Sequence, residues 1–164
     1  MRRVGPGSPE PLGVSCVPGG VNVAVYSAHA SAIELCLFDA EGAAETRRIV
    51  LPGRTGDVHH AFVPGIEPGQ RYGLRASGPH EPQHGHRFNP AKLLIDPHAT
   101  ALDRRLQLHP SMFDDHLQPG ARNDDDSAPY MPKAIVADRV TMAPAARPRT
   151  PWSRSIVYEV HVRG

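Results

Sequence analysis

The sequence predicts an all-β protein, an immunoglobulin-like antiparallel β-sandwich followed by an irregular connector. Five short segments with alternating apolar side chains precede residue 77, and turn-forming residues separate them about every ten residues. The 18 prolines and 15 glycines are spread along the chain, which is typical of many strands joined by turns and disfavours a helix-rich fold. The 164 residues leave room for one domain of ordinary size and a sizeable remainder.

The first predicted strand shows the alternation most clearly. In residues 20–27 the side chains of Val21, Val23 and Val25 fall on one face, and the residues between them fall on the other. Residues 32–38 repeat this pattern and end at a turn that predicts a hairpin partner. The remaining predicted strands are residues 46–51, residues 57–63 and the latter part of residues 66–76.

Tyr72 stands at the start of the last of these strands, directly after a turn at Pro68 and Gly69. This is the arrangement of a tyrosine corner, in which the phenol bonds back to upstream backbone in immunoglobulin-like sandwiches. The alternative is an ordinary half-buried tyrosine.

Changes of composition divide the chain into four segments. We expect a disordered N-terminus at residues 1–10 and the β-sandwich at residues 11–105. Polar and proline-containing stretches predict an irregular connector at residues 106–154. Residues 155–164 have a strong strand pattern and need a sheet to join, either the sandwich itself or a further domain that is missing.

A dense mixture of charged, aromatic and proline residues marks residues 85–97, which we call the strap. Pro90 and Pro97 each favour an extended backbone at the residue that precedes them, Asn89 and Asp96. The strap is therefore expected to be irregular. It is either a surface loop with one buried edge or a segment pinned to a neighbouring body. In the second case Phe88 and residues 93–95 are buried or face that body, and Arg87 and Lys92 have acceptors. The predicted contact residues are His86, Arg87, Phe88, Asn89, Lys92 and Asp96.

Charge and cysteine content restrict the possible partners. The net charge is +1 with histidine neutral, so we expect neither nucleic acid nor a membrane surface as a partner. No apolar stretch follows the first residues as a signal-peptide core would, and we expect a cytoplasmic protein. Cys16 and Cys36 are expected to be small, buried, hydrophobic side chains. The alternative is a disulfide between them, which requires that they lie on paired strands.

The polar residues show no catalytic set. His80, His84 and His86 lie close together in a loop that is broken by proline and glycine and has no cysteine. His59 and His60 are adjacent elsewhere, and His98 follows the strap, so we expect no metal and no cofactor. Asp114, Asp115 and residues 124–126 lie in the connector, where a solvated role is expected rather than paired-carboxylate chemistry. The chain has one tryptophan and few other aromatic residues, so the sandwich is poorly equipped with platforms for sugar stacking.

Several segments together resemble the N-terminal region of bacterial glycogen debranching enzymes and isoamylases, in the α-amylase superfamily. The strap sequence GHRFNPAKLLIDP is the most specific of them. The others are residues 20–23, 26–30, 33–39, 68–73, 126–133 and 157–164. The resemblance covers nearly the whole chain.

This resemblance implies a carbohydrate-binding-type module of family 48, then a connector and the first strand of a (β/α)₈ barrel at residues 155–164. In that family the barrel hydrolyses the α-1,6-glucosidic branch linkages of glycogen by a retaining route, with an Asp nucleophile and a Glu acid. Those residues come from later barrel strands, and none lies within this chain. The implied partners are α-glucan, such as glycogen, and the missing catalytic barrel, with the strap between the sandwich and the barrel.

The chain departs from the family pattern at aromatic positions. His59 and His60 stand where Trp-His is frequent, His80 stands where the tryptophan of Gly-Pro-Trp is frequent, and His98 replaces a tyrosine. His59, His60 and His80 are therefore the candidates for carbohydrate contact, although histidine stacks on sugar less well. Alternative functions are a free-standing α-glucan-binding module and an immunoglobulin-like interaction domain without enzymatic activity.

Overall fold

The structure is a computed structural model and describes residues 3–113, 121–138 and 149–160. Its strands are β1 (Gly13–Val17), β2 (Gly20–Tyr26), β3 (Ala32–Phe38), β4 (Glu45–Val50), β5 (Gly53–Thr55), β6 (Val58–Pro64), β7 (Arg71–Ser77), β8 (His80–Glu81), β9 (His86–Arg87) and β10 (Ala134–Ile135). Single 3₁₀ turns span Pro82–His84, Pro110–Met112 and Trp152–Arg154. No α-helix occurs in these three ranges.

Two antiparallel four-stranded sheets form the sandwich, which confirms the predicted fold class. Sheet A has the order β1-β2-β6-β5, and sheet B has the order β10-β7-β3-β4. The five predicted strands are present as β2, β3, β4, β6 and β7. Two further strands have no clear apolar alternation and were not predicted. They are β5, with the sequence Gly-Arg-Thr, and β1, which pairs with β2 across the turn at Pro18 and Gly19.

The main core lies between the two sheets. Val21 and Val23 of β2 and Leu35 of β3 are buried there, as the alternation predicts. Ala61 and Val63 of β6 complete the same layer. Burial of apolar surface contributes about 25 cal/mol per Å², so these inward residues supply the main driving force for closing the sandwich.

A second, smaller apolar cluster lies on the outer face of sheet B. Cys36 and Phe38 project outward from β3, and Leu93 of the strap covers them together with Ala128. Gly73 of β7 makes this close approach possible, because a Cβ built there would lie 2.7 Å from a methyl carbon of Leu93. The outer face of sheet B is therefore buried where the strap crosses β3 and β7.

Part of the predicted connector completes this covering layer. Its strand β10 pairs with β7 at the edge of sheet B. Just before it, Lys133 is fully buried, and its ammonium donates 2.6 Å hydrogen bonds to the carbonyl oxygens of Ala128 and Met131. The same Nζ lies 4.8 Å from the ring centroid of Phe38, within the range of a cation–π contact. Residues 127–136 are thus ordered against sheet B, in contrast to the irregular connector predicted.

The N-terminal segment lies on sheet A, in contrast to the disorder predicted for residues 1–10. Gly5 exchanges two backbone hydrogen bonds with Phe62 of β6, at 3.0 and 2.8 Å. Ser8 is held by the side chain of Asn22, which accepts from its N–H at 2.7 Å and donates to its carbonyl at 3.0 Å. Gly7, with φ of +66°, passes so close to this face that a Cβ would clash with the backbone of Ala61. Residues 1 and 2 lie outside the described residues.

The strand predicted at residues 155–164 is not formed in the part that the structure describes. Residues 155–160 carry no strand pairing and are exposed, and residues 161–164 lie outside the described ranges. Cys16 and Cys36 are free thiols on opposite sheets, so they form no disulfide. Within the described residues no helix is long and apolar enough to cross a membrane.

Candidate functional site

The strap is fastened to its own sandwich and connector. Asn89 is buried, and its Nδ2 donates a 2.8 Å hydrogen bond to the carbonyl of Asn123. The ammonium of Lys92 donates to the carbonyl oxygens of Ser111 at 2.6 Å and Asp125 at 2.9 Å. Two of the predicted contact residues therefore have acceptors inside the chain, which holds the strap and connector together.

Asp96 anchors the end of the strap to β7. Its Oδ2 accepts a 2.8 Å hydrogen bond from the phenol of Tyr72, and its Oδ1 accepts one of 2.8 Å from the backbone N–H of His98. Burial, reinforced by the charge and hydrogen bond of Asp96, raises the pKa of Tyr72 far above its usual value. The tyrosine-corner prediction is wrong, because the phenol bonds to a downstream carboxylate and not to upstream backbone.

Arg75 of β7 forms a buried charge cluster that the sequence patterns do not predict. Only 1% of Arg75 is exposed. Its guanidinium donates to Asp126 at 2.8 Å, to Glu45 at 3.1 Å and to the carbonyl of Pro90 at 2.9 Å. In the sequence, the indication of this cluster is a charged residue at an outward position of a strand rich in apolar residues. The residues that pair with Arg75 are distant from it in the sequence. The cluster ties the strap and the connector to β7 and β4 of sheet B.

Among the described residues, a large open groove lies beside the strap, with a volume of about 1570 Å³. It runs from the end of β2 across the strap to the 3₁₀ turn at Pro110–Met112. The exposed fractions of its large apolar side chains are 62% for Tyr26, 45% for Leu94 and 43% for Phe113. We use the name groove for the surface lined by Val25, Tyr26, Ser27, Ile33, Leu74, Ala76, Pro82, Gln83, Gly85, Arg87, Phe88, Asn89, Lys92, Leu94, Ile95, Pro97, Met112, Phe113, Ala121 and Met131.

The apolar residues of the strap divide between the core and this groove. Leu93 is buried on sheet B, and Phe88 is half-buried against the main core. Leu94 and Ile95 face the groove. The Arg87 side chain is exposed, and none of the described residues places an acceptor within hydrogen-bond or ion-pair distance of it, in contrast to the acceptor predicted. His86 makes an edge-to-face ring contact with His29, at 4.7 Å between centroids.

Two of the three candidate sugar-contacting histidines are buried. His59 lies on the inward face of β6, and this burial, followed by the charge of Arg54, lowers its pKa. His60 lies on the outward face, where its Nδ1 contacts the carbonyl of Pro6 and its Nε2 lies 2.9 Å from the hydroxyl of Thr55. Stacking on a sugar needs an open ring face, and neither ring offers one in this structure.

His80 is half-buried on β8, in the short hairpin with β9. Both of its ring nitrogens are shielded from solvent and lack a hydrogen-bond partner among the described residues. Across the same residues, no group of three or more His, Cys, Asp or Glu side chains is arranged to hold a metal ion.

The connector carboxylates are held in structural contacts where the structure describes them. Asp124 is exposed and accepts a 2.6 Å hydrogen bond from Arg122, while Asp126 pairs with Arg75. Asp114 and Asp115 lie outside the described residues.

Comparisons with known proteins agree with this architecture. Residues 11–99, more than half of the chain, match the family model of carbohydrate-binding module 48, the isoamylase N-terminal domain. The whole chain is 48% identical over 165 residues to a glycogen debranching enzyme of Yersinia enterocolitica and 44% identical to one of Salmonella typhi. In both cases it spans 24% of the length of the relative.

Solved structures show the same fold at low sequence identity. The catalytic module of SpuA, a multi-modular glycogen-degrading pneumococcal virulence factor, aligns with a TM-score of 0.52 and 18% identity. That alignment covers 78% of this chain and 16% of the SpuA chain. A product complex of SpuA aligns with a TM-score of 0.53, over 82% of this chain and 12% of the other. The family match and the full-length similarity show that the chain belongs to the carbohydrate-binding module 48 family and is homologous to the N-terminal quarter of glycogen debranching enzymes.

Proposed function

We propose that this chain is the N-terminal module of a glycogen debranching enzyme that hydrolyses α-1,6-glucosidic branch linkages in glycogen catabolism. The observation that carries the proposal is the similarity of the whole chain, at 48% identity, to a quarter of such an enzyme. The catalytic groups then belong to the remaining part of the enzyme, and the module supports that part.

The described contacts support a bracing role over a catalytic one. Lys133 of the connector and Arg75 of β7 are both used to fix the layer that covers sheet B. A rigid module of this kind can hold a neighbouring domain in position, whereas glycoside hydrolysis needs two carboxyl groups that flank a sugar. The 164-residue chain by itself is therefore expected to be inactive.

A chimera with the Yersinia enterocolitica relative tests this proposal. This chain replaces the homologous quarter of that enzyme, and both the chimera and the 164-residue chain are assayed for reducing ends released from branched and linear α-glucan. We expect the chimera to cleave branched glucan and the chain alone to release nothing. Hydrolysis by the chain alone, or a folded chimera without debranching activity beside an active parent enzyme, would overturn the proposal.

The family match favours a second candidate, a module that binds α-glucan by itself. Native gel electrophoresis in the presence and absence of glycogen tests it with the 164-residue chain. Retardation that rises with glycogen concentration would support binding in isolation. Unchanged mobility at high glycogen would remove this candidate and leave the bracing role in place.

A further inference from the structure

We propose that His29 and His86 form a two-histidine site for a borderline divalent cation such as Zn²⁺. His29 lies in the loop between β2 and β3, and His86 lies on β9. Their rings meet edge to face with 4.7 Å between centroids, although the two residues are far apart in the sequence. The site does not depend on the proposed function. A bound ion would join the β2–β3 loop to the β8–β9 hairpin.

The site differs from the expectation of no metal because its two ligands come from separate parts of the chain. The loop broken by proline and glycine folds into a hairpin, in which His86 pairs with Glu81. The second imidazole comes from the β2–β3 loop, so no spacing within the hairpin indicates it. Two histidines are fewer than the three or four protein ligands of catalytic and structural zinc sites. Water would fill the other positions, so we expect reversible binding.

The separation of the two rings suits one shared ion. Histidine nitrogens ligate Zn²⁺ at about 2.0–2.1 Å, so two imidazoles on one ion have centroids roughly 4.5–5.3 Å apart at octahedral or tetrahedral angles. The observed 4.7 Å lies in this range. The ring planes lie at 70° to each other. Because the terminal torsion of histidine is broad, rotation can direct one nitrogen of each ring toward the same point.

Both rings are open to a ligand. His29 is exposed and His86 is half-buried. Across the described ranges neither ring has a hydrogen-bond or ion-pair partner, in contrast to the rings of His60 and His84. Imidazole ligands suit zinc, copper and nickel, whereas calcium and magnesium prefer oxygen ligands. The pair is therefore suited to a borderline cation and not to a hard one.

The hairpin gives the pair a favourable charge environment. Glu81 lies directly opposite His86 in the antiparallel pair, so their side chains share one face of the hairpin. The side chain of Glu81 is 52% exposed. Arg87 follows on the other face, because side chains alternate along a strand, and it lines the groove. The hairpin thus places a carboxylate on the side of the pair and directs the guanidinium away from it.

The backbones that carry the two histidines are fixed by contacts that do not involve the rings. At the ends of the β2–β3 loop, the N–H groups of Ser27 and Ser31 donate 2.8 Å hydrogen bonds to the carbonyl oxygens of Asp57 and Ser77. The hairpin is held by the pairing of β8 with β9. Ligands that are held in place before binding lose little conformational entropy when the ion arrives.

Isothermal titration calorimetry with Zn²⁺ tests the site in the 164-residue chain, at a slightly alkaline pH because ligation needs neutral imidazole. The variants are His29→Gln, His86→Gln and the double variant. His98→Gln is the control, because His98 is exposed and lies outside the pair. Two ligands held together bind one ion more tightly than separate ligands, so we expect each single substitution to weaken binding at least about tenfold. The double variant should bind no more weakly than either single variant, and the control should match the wild type.

A second measurement uses the wild type alone. Carbethoxylation of each histidine is followed by mass spectrometry with and without Zn²⁺. With Zn²⁺ at about ten times the dissociation constant, only about a tenth of the sites is free, so His29 and His86 should react about tenfold more slowly and His98 at an unchanged rate. Equal affinity of the wild type and the single variants, or equal reaction rates of His29 and His86 with and without Zn²⁺, would overturn the proposal. Additive losses in the double variant would assign the ions to two separate histidines and would also overturn it.

Discussion

The phenol of Tyr72 donates a 2.8 Å hydrogen bond to the Oδ2 atom of Asp96, and this contact joins β7 to the strap. Both residues are buried, with exposed fractions of 2% and 3%. A buried carboxylate that loses a donor cannot recover it from water. The contact therefore couples the strap to the stability of the whole sandwich.

We predict that Tyr72→Phe lowers the free energy of unfolding by about 1–3 kcal/mol, because Asp96 loses its phenolic donor. Urea denaturation followed by circular dichroism measures the change. Tyr158→Phe is the matched control, since Tyr158 is 82% exposed, and it should leave the free energy unchanged. Equal stability of Tyr72→Phe and the wild type would show that the contact has no net effect.

Arg75 and Arg48 both pair with Glu45 but differ in burial, so they form a natural comparison. Arg75→Met removes donors to Asp126, Glu45 and a carbonyl in a buried setting, and we expect a loss of about 2–4 kcal/mol. Arg48 lies largely in solvent, and Arg48→Met should cost less than about 1 kcal/mol. Chemical denaturation of the two variants side by side gives the comparison. Similar losses would contradict the structural difference between the two pairs.

Gly73→Ala should loosen the strap. The added Cβ would lie 2.7 Å from Leu93, which must move away from sheet B. Overpacking of this kind costs about 1–3 kcal/mol, and hydrogen exchange should become faster at the amide of Leu93, which donates to the hydroxyl of Ser127. Gly5→Ala is the control, because no atom lies within 4 Å of a Cβ at Gly5. Unchanged exchange at Leu93 would show that the strap accommodates the methyl group.

His59 makes the stability of the sandwich sensitive to acid. Burial lowers its pKa in the folded state below the ordinary value of 6.5, so the unfolded state binds the proton more readily. Its contribution therefore favours folding above pH 6.5 and weakens as the pH falls from 6.5 toward the folded pKa.

The free energy of unfolding, measured at several pH values from neutral to acidic, should fall less steeply for His59→Phe than for the wild type. His84→Gln is the control, because the side chain of His84 is 67% exposed, and it should keep the wild-type slope. Identical slopes for all three proteins would assign the acid sensitivity to other groups.

The sequence by itself determined the fold class and the positions of five strands, β2, β3, β4, β6 and β7. The alternation of Val21, Val23 and Val25 depends only on the two-residue period of a strand, so it predicts which face enters the core without knowledge of the partner sheet. The same local pattern predicts a strand at residues 155–160, where the structure shows none, because a strand also needs a neighbour to accept its backbone hydrogen bonds.

Only the tertiary structure decided which polar residues are buried and which surface stays open. Arg75 meets Asp126 across 51 residues, and Asn89 meets the carbonyl of Asn123 across 34. No local pattern indicates contacts over such separations, which is why Asn89 was predicted at an interface and His59 among the sugar contacts. The described part of the connector supplies acceptors for Arg75 and Asn89, because an unpaired buried polar group is costly. The apolar groove lies beside the strap and keeps Leu94 exposed.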